Sequence, residues 1–135
     1  MSTGLDAFAL LHELSSEERA HFEKFLTERR FDPGDQLFDV HDESEEMLLL
    51  LEGRVRLQSS GVSEGFVEAG EVMGAASLVL VGNRMCAAYA DGPVRVLSLA
   101  RESYLRLRSD LPRVALCLQE AIVHHFASDV RQLLA

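Results

Sequence analysis

The sequence predicts a mainly β fold, an antiparallel β-roll or jelly roll flanked by helices at both ends. Three observations predict it. Apolar residues recur at helical spacing only near the two termini. Between them lie short alternating or wholly apolar segments punctuated by glycines at 34, 53, 61, 65, 70, 74, 82 and 92, the spacing of strands in a sandwich or barrel. The chain has 135 residues, 47% of them hydrophobic and 26% charged, which suits one core and is too short for two ordinary domains. The expected layout is a single domain over 1–135, with N-terminal helices in 1–30, the roll in 31–99 and C-terminal helices in 100–135.

Each element has a local reason. Leu10, Leu14, Phe22, Phe25 and Leu26 are near-helical in spacing, and Ser15-Ser16-Glu17-Glu18 supplies an N-cap with acidic residues in the first turn; two short helices are expected. Pro33 and Gly34 break the pattern as a turn. Strands are expected at Gln36–Asp39, Met47–Glu52, Arg54–Gln58, Gly65–Glu68, Ala87–Asp91 and Pro93–Leu99. Arg54, Arg56 and Gln58 alternate with Val55 and Leu57, as in a half-buried strand, whereas the unbroken run Met47 to Leu51 suits a strand covered on both faces. Gly53 closes that run at strand length and an acidic loop, Asp42 to Glu46, opens it, which argues against a helix. A short helix follows over Ala100–Asp110 with Tyr104, Leu105 and Leu107 on its apolar side. Pro112 then suits the first position of a long one, where Val114, Leu118, Ile122, Phe126, Val130 and Leu134 recur every four residues and Ala115, Val123 and Leu133 widen the stripe.

Charge excludes several functions. Thirteen Lys and Arg against twenty-two Asp and Glu give a net charge of −9, which repels a phosphate backbone, so direct nucleic-acid binding is not expected. No basic tract suits an anionic membrane, and the apolar-rich run Val72–Val81 is about half a bilayer span, so no membrane insertion is expected. Cys86 and Cys117 lack disulfide-scaffold or zinc spacing, and are expected as reduced, core-packed thiols in a cytoplasmic protein. His124 and His125 are adjacent and diverge by about 100° on a helix, so no metal site is expected; an ion pair of His124 with Glu120 fits better. The acidic loop Asp39–Glu46 lacks the glycine and ligand register of a calcium loop. No nucleophile elbow, P-loop or zinc-protease motif occurs, and no enzyme is expected.

Three blocks carry a resemblance. The first is Pro33-Gly34-Asp35-Gln36-Leu37-Phe38 with Asp42 and then Leu48-Leu49-Leu50-Leu51-Glu52-Gly53-Arg54-Val55. The second runs from Gly70-Glu71-Val72-Met73-Gly74-Ala75-Ala76-Ser77-Leu78 through Arg84-Met85-Cys86-Ala87-Ala88-Tyr89-Ala90. The third is Val96-Leu97-Ser98-Leu99-Ala100-Arg101-Glu102 with Tyr104-Leu105. Together they resemble the cyclic nucleotide-binding domain family, of the catabolite activator protein and protein kinase A regulatory subunit type, over nearly the whole chain. The second block is similar to that family's phosphate-binding cassette, here 70–90. The nine-residue step from Ala75 to Arg84 matches the family's step from its ribose-binding Glu to its phosphate-binding Arg.

The resemblance implies a ligand site at Gly74, Ala75, Ala76, Ser77, Arg84, Met85 and Cys86, for cAMP, cGMP or another phosphate ligand. A glycine-rich turn leading into a short helix offers N–H donors, and one guanidinium neutralises the anion. The cassette is nevertheless degenerate. Ala75 stands where the family places the Glu that accepts from the ribose hydroxyl, Met85 where it often places Ser or Thr, and Asn83 where it has the loop proline. A charge-assisted hydrogen bond contributes about 1.5–3 kcal/mol and a neutral one about 1, so losing both weakens binding by on the order of a hundredfold. In the family the C-terminal helix also reaches the base; the matching region here, Ser128 and Asp129, reads as solvated helix surface.

The expected role is a non-enzymatic regulatory or sensor module with weak or lost cAMP and cGMP binding, signalling through its C-terminal helices to a homodimer partner, another protein or a fused output domain. The alternatives are a genuine sensor of a cyclic nucleotide or another phosphate ligand such as a cyclic dinucleotide, a structural domain with an empty pocket, and the sensor half of a transcription regulator. The last needs a helix-turn-helix beyond Ala135, so this polypeptide alone is not expected to read DNA that way.

Overall fold

The computed structural model describes residues 5, 8, 11–58, 65–78, 82, 84 and 86–134, with the side chains of 76 and 125–134 outside the description. The chain divides into two compact units, Leu26–Arg101 and a helical unit of Met1–Phe25 with Glu102–Ala135.

The first unit contains eight strands among the described residues: β1 (Thr27–Phe31), β2 (Gln36–Phe38), β3 (Glu46–Glu52), β4 (Arg54–Gln58), β5 (Gly65–Glu68), β6 (Val72–Met73), β7 (Ala87–Ala90) and β8 (Val94–Ala100). They form two four-stranded antiparallel sheets, ordered β1-β8-β3-β6 and β2-β7-β4-β5. The mainly β roll expected from the sequence is present; of its six expected strands two match the observed bounds, three differ by one residue at one end, and Pro93–Leu99 is shifted by one residue at both ends.

Two strands escaped the sequence reading. β6 is only two residues long. β1 corrects the assignment of 1–30 to helices: Thr27–Phe31 pairs along its whole length with Val94–Ser98. Its two apolar-side positions, Arg29 and Phe31, are only half-buried, so the alternation that betrays a strand is carried partly by a charged residue.

Alternation sets the core. Leu48, Leu50, Met73, Val94 and Val96 from one sheet meet Leu37, Val55, Val67, Ala88 and Ala90 from the other. The intervening Met47, Leu49, Leu97 and Leu99 are also buried, so β3 is covered on both faces, as its apolar run required. Leu51 is the exception: the β3–β8 register shifts between Leu50 and Glu52, and the bulged residue is only half-buried. The β3–β4 turn depends on Gly53 at φ +94°, where a Cβ would overlap the Pro93 carbonyl.

In the helical unit, α1 (Ser16–Glu23) begins with the expected cap. Ser15 Oγ accepts from the Glu18 N–H at 3.1 Å, and Glu18 accepts from the Ser15 N–H at 2.9 Å, a reciprocal capping box. That N–H and the nearby Arg113 guanidinium, 3.1 Å from Glu18, hold the Glu18 carboxyl below its ordinary range. Of the two expected N-terminal helices, α1 is the one among the described residues; before it, the N–H groups of Phe8, Leu11 and Leu14 donate to the carbonyls of Leu5, Phe8 and Leu11.

α2 (Arg101–Asp110) and α3 (Pro112–Leu134) follow. Tyr104 and Leu107 are buried, as are Val114, Ala115, Leu118 and Ile122, which confirms the first half of the α3 stripe. Phe126, Val130, Leu133 and Leu134 have side chains outside the description. Leu105 and Val123 are corrections: both were expected on the apolar faces, and they are 49% and 65% exposed. Cys86 and Cys117 are free but half-buried, so neither is fully core-packed.

Candidate functional site

The site sits where the roll stops being apolar. After β6, Gly74 turns the chain at φ +70°, and a Cβ there would run into the Arg84 guanidinium and approach the Glu46 carbonyl to 2.9 Å. Glycine is required on both conformational and steric grounds. Ala75–Leu78 then forms one 3-10 turn, shorter than the helix expected from the cassette. The Ser77 N–H is committed to the Gly74 carbonyl at 2.9 Å, which leaves one fewer free donor for an anion.

Arg84 is 7% exposed, a rare burial for a charged residue. Its backbone is fastened on both sides: its N–H donates to the Asp42 carbonyl at 2.7 Å, and its carbonyl accepts from the His41 N–H at 3.0 Å. Its guanidinium lies over the Phe38 ring at 4.2 Å and donates through Nη2 to the Glu46 carbonyl at 3.1 Å. Among the described residues, its buried Nε has no hydrogen-bond partner. Burial lowers the Arg84 pKa, and the negative charges of Glu46 and Asp42 oppose that shift.

The remaining cassette positions are placed as follows. Ala75 is 6% exposed and offers no acceptor. Ser77 is buried, with its hydroxyl bonded to Ser44 Oγ and its carbonyl accepting from Arg101 Nε at 2.8 Å. Arg101 also donates to the Ser44 carbonyl at 2.7 Å, so the turn and the loop before β3 are tied to the end of β8. Ala76 lies in the 3-10 turn, its side chain outside the description. Met85 and Asn83 lie outside the described residues. Cys86 is half-buried, and burial pushes its thiol pKa up against the opposing pull of Arg84, which disfavours the thiolate.

Several polar residues of the site were not singled out in the sequence. Glu46 accepts from Arg29 Nη1 at 2.5 Å and from the Ser98 hydroxyl. Arg29 also stacks at 5.2 Å on Phe31. The clue was available in the alternation: Glu46 shares its strand face with Leu48 and Leu50, an inward position for a carboxylate. Arg29 gave no such clue, because it fell within the stretch assigned to helix.

Chemically, the arrangement can hold an anion. A buried N–H left unsatisfied costs about 1–3 kcal/mol, and an anionic oxygen at Arg84 Nε would remove that cost. It holds no acceptor at position 75 for a ligand hydroxyl. Among the described residues no group of three or more His, Cys, Asp or Glu is placed to bind a metal, and no helix is long and apolar enough to cross a membrane.

Comparison with solved structures places the geometry in context. The N-terminal domain of a transcriptional regulator from Streptomyces coelicolor A3(2) is similar at 25% identity and a TM-score of 0.80, over 93% of this chain and 92% of that one. The catabolite activator protein of Thermus thermophilus is similar at 29% identity and a TM-score of 0.78, over 92% of this chain and 61% of that one. A cyclic nucleotide-binding domain from Methylobacillus flagellatus KT shares the fold, with a TM-score of 0.83 at 19% identity over 95% of this chain and 75% of that one. No curated protein matches the chain. The family model described as cyclic nucleotide-binding domain matches residues 28–110, a span that takes in all but the first residue of β1, the 3-10 turn and Arg84. By that match the chain belongs to the cyclic nucleotide-binding domain family.

Proposed function

We propose that this domain is a non-enzymatic regulatory module in which the phosphate half of the ligand site is kept and the hydroxyl-accepting half is lost, so that cAMP and cGMP bind weakly or not at all. The observation that carries this reading is the pairing of a buried Arg84 whose Nε has no partner with a buried Ala75 that has nothing to accept with. Met85 in place of a hydroxyl residue adds to the loss. Titration calorimetry of the purified chain with cAMP and cGMP tests it. Dissociation constants well above micromolar are expected, and Ala75→Glu combined with Met85→Ser tightens cAMP by on the order of a hundredfold. Micromolar or tighter binding by the natural sequence, or no gain in the double variant, overturns the reading.

The unclaimed Nε of Arg84 also favours a second reading, a sensor retuned to a different phosphate ligand such as a cyclic dinucleotide. A thermal-shift screen against cyclic mononucleotides, cyclic dinucleotides and sugar phosphates separates the two. Output runs through the C-terminal helices to a partner or a second copy. Exposed Leu116 and Val123, seven residues apart on α3 and so on one face, support a homodimer, and strictly monomeric sedimentation at high concentration would remove it. The likeness to the N-terminal domain of the Streptomyces regulator supports a place as the sensor part of a longer regulator. Two free cysteines suit a cytoplasmic setting.

A further inference from the structure

Arg101 is at once the last residue of the roll unit and the first of α2. A cation at the start of a helix works against the helix dipole, and Ala100 before it has no side-chain oxygen with which to cap the helix. The roll supplies what the helix start lacks. The Arg101 N–H, one of the donors that a first turn leaves without an intrahelical partner, donates to the Glu45 carbonyl at 2.8 Å. Its guanidinium donates from Nε to the Ser77 carbonyl at 2.8 Å and from Nη2 to the Ser44 carbonyl at 2.7 Å. These N–H groups belong to one rigid, planar fork, so the turn at Ala75–Leu78 and the loop before β3 are held side by side at the first residue of α2.

Both segments lead back to Arg84. Gly74, where the turn begins, lies so near that a Cβ there would run into the Arg84 guanidinium, and its carbonyl accepts from the Ser77 N–H at 2.9 Å. The loop is fastened to the backbone around Arg84. Its Asp42 carbonyl accepts from the Arg84 N–H at 2.7 Å, its His41 N–H donates to the Arg84 carbonyl at 3.0 Å, and its Ser44 N–H donates to the Gly82 carbonyl at 2.9 Å. The hydroxyls of Ser44 and Ser77 join the two segments to each other. We propose that Arg101 is a positioning residue that carries occupation of the Arg84 site to α2, because the two hydrogen-bonded routes from Arg84 converge on it. The inference rests on the readings of Arg84 as an anion site and of the C-terminal helices as the output. An anion drawn to Arg84 Nε moves the guanidinium, the guanidinium moves the turn packed against it, and the Arg101 fork passes that shift to a helix start that Ala100 cannot cap.

The test uses the full chain with 3′,5′-cyclic AMP as the probe, and amide NMR shifts extrapolated to saturation so that a change in affinity does not enter. The chain carrying Ala75→Glu with Met85→Ser serves as a second background. Binding is expected to shift the amides of Gly74–Leu78 and also those of 102–105 in α2. Arg101→Lys keeps the charge and removes the planar fork; Arg101→Gln, neutral but planar at its end, provides the same reading should the lysine variant fold poorly, and thermal unfolding of both is followed alongside. In the folded variants the α2 shifts, taken relative to those at Gly74–Leu78, are expected to fall about fivefold or more. An Arg101 that only holds the fold together lowers the unfolding midpoint and leaves that ratio as in the natural chain, which overturns this inference alone. Cyclic AMP that shifts the turn and never α2 overturns it together with the helical output, and no binding in either background removes the reading of Arg84 and the proposal with it.

Discussion

The apolar interior of the roll and the polar region around Arg84 are built from the same strands and solve opposite problems. Leu48 and Leu50 of β3 are fully buried among apolar neighbours, and their burial stabilises the fold without needing any exact partner atom. Glu46, two residues earlier on the same face, is tied to Arg29, Ser98 and Arg84 by directional bonds. The first region tolerates no cavity but asks little of geometry. The second region asks for geometry and leaves one donor unmatched, Arg84 Nε. The difference teaches where function resides: an unsatisfied buried donor survives in a stable fold when the apolar part supplies the stability.

Substitutions that exchange these roles probe the comparison most directly. The largest effect is expected for Leu48→Ala, which empties a fully buried position and costs about 2–5 kcal/mol, read as a lower midpoint in urea unfolding. A loss below that range would mean that the interior relaxes around the cavity. Gly74→Ala comes next. It combines a residue at φ +70° with a Cβ that displaces Arg84, and about 1–3 kcal/mol is expected together with altered anion binding. An unaffected midpoint would show that the turn can adopt another conformation.

The smallest stability effect is expected at the most conspicuous polar residue. Arg84→Leu removes a buried charge and its unmatched donor, and replacing buried ions by apolar groups of similar size is often neutral or stabilising. A change within about 1 kcal/mol is expected, with loss of any phosphate binding seen by NMR titration. If Arg84→Leu instead unfolds the chain, the polar region is structural and the division drawn between the two regions fails.

Much of this was legible in the residues. The Met47–Leu51 run, the Arg54–Gln58 alternation and Gly53 between them define β3, the turn and β4 because side-chain period and glycine chemistry are local properties. The resemblance grouped Gly74, Ala75, Ser77 and Arg84 as one expected site, and the roll sets Gly74 against the Arg84 guanidinium. β1 was not legible. A strand whose less exposed positions are Arg29 and Phe31 has no clear apolar period, and it exists because β8 pairs with it. Val123 and Leu105 were misplaced for a related reason: periodicity identifies an apolar stripe, but its width is set by what packs against it.

The sequence by itself determined the fold class, six of the eight described strands, the C-terminal helices and the acidic charge, since each depends on residue type and on spacing along the chain. Only the tertiary structure decided that Arg29 and Ser98 converge on Glu46, that Arg84 bonds the Glu46 carbonyl and stacks on Phe38, and that its Nε is left without a partner. Those contacts join residues from 29 to 98 across four strands and one loop. Their energies depend on burial and on distances that strand pairing creates, and no local pattern in the chain encodes them.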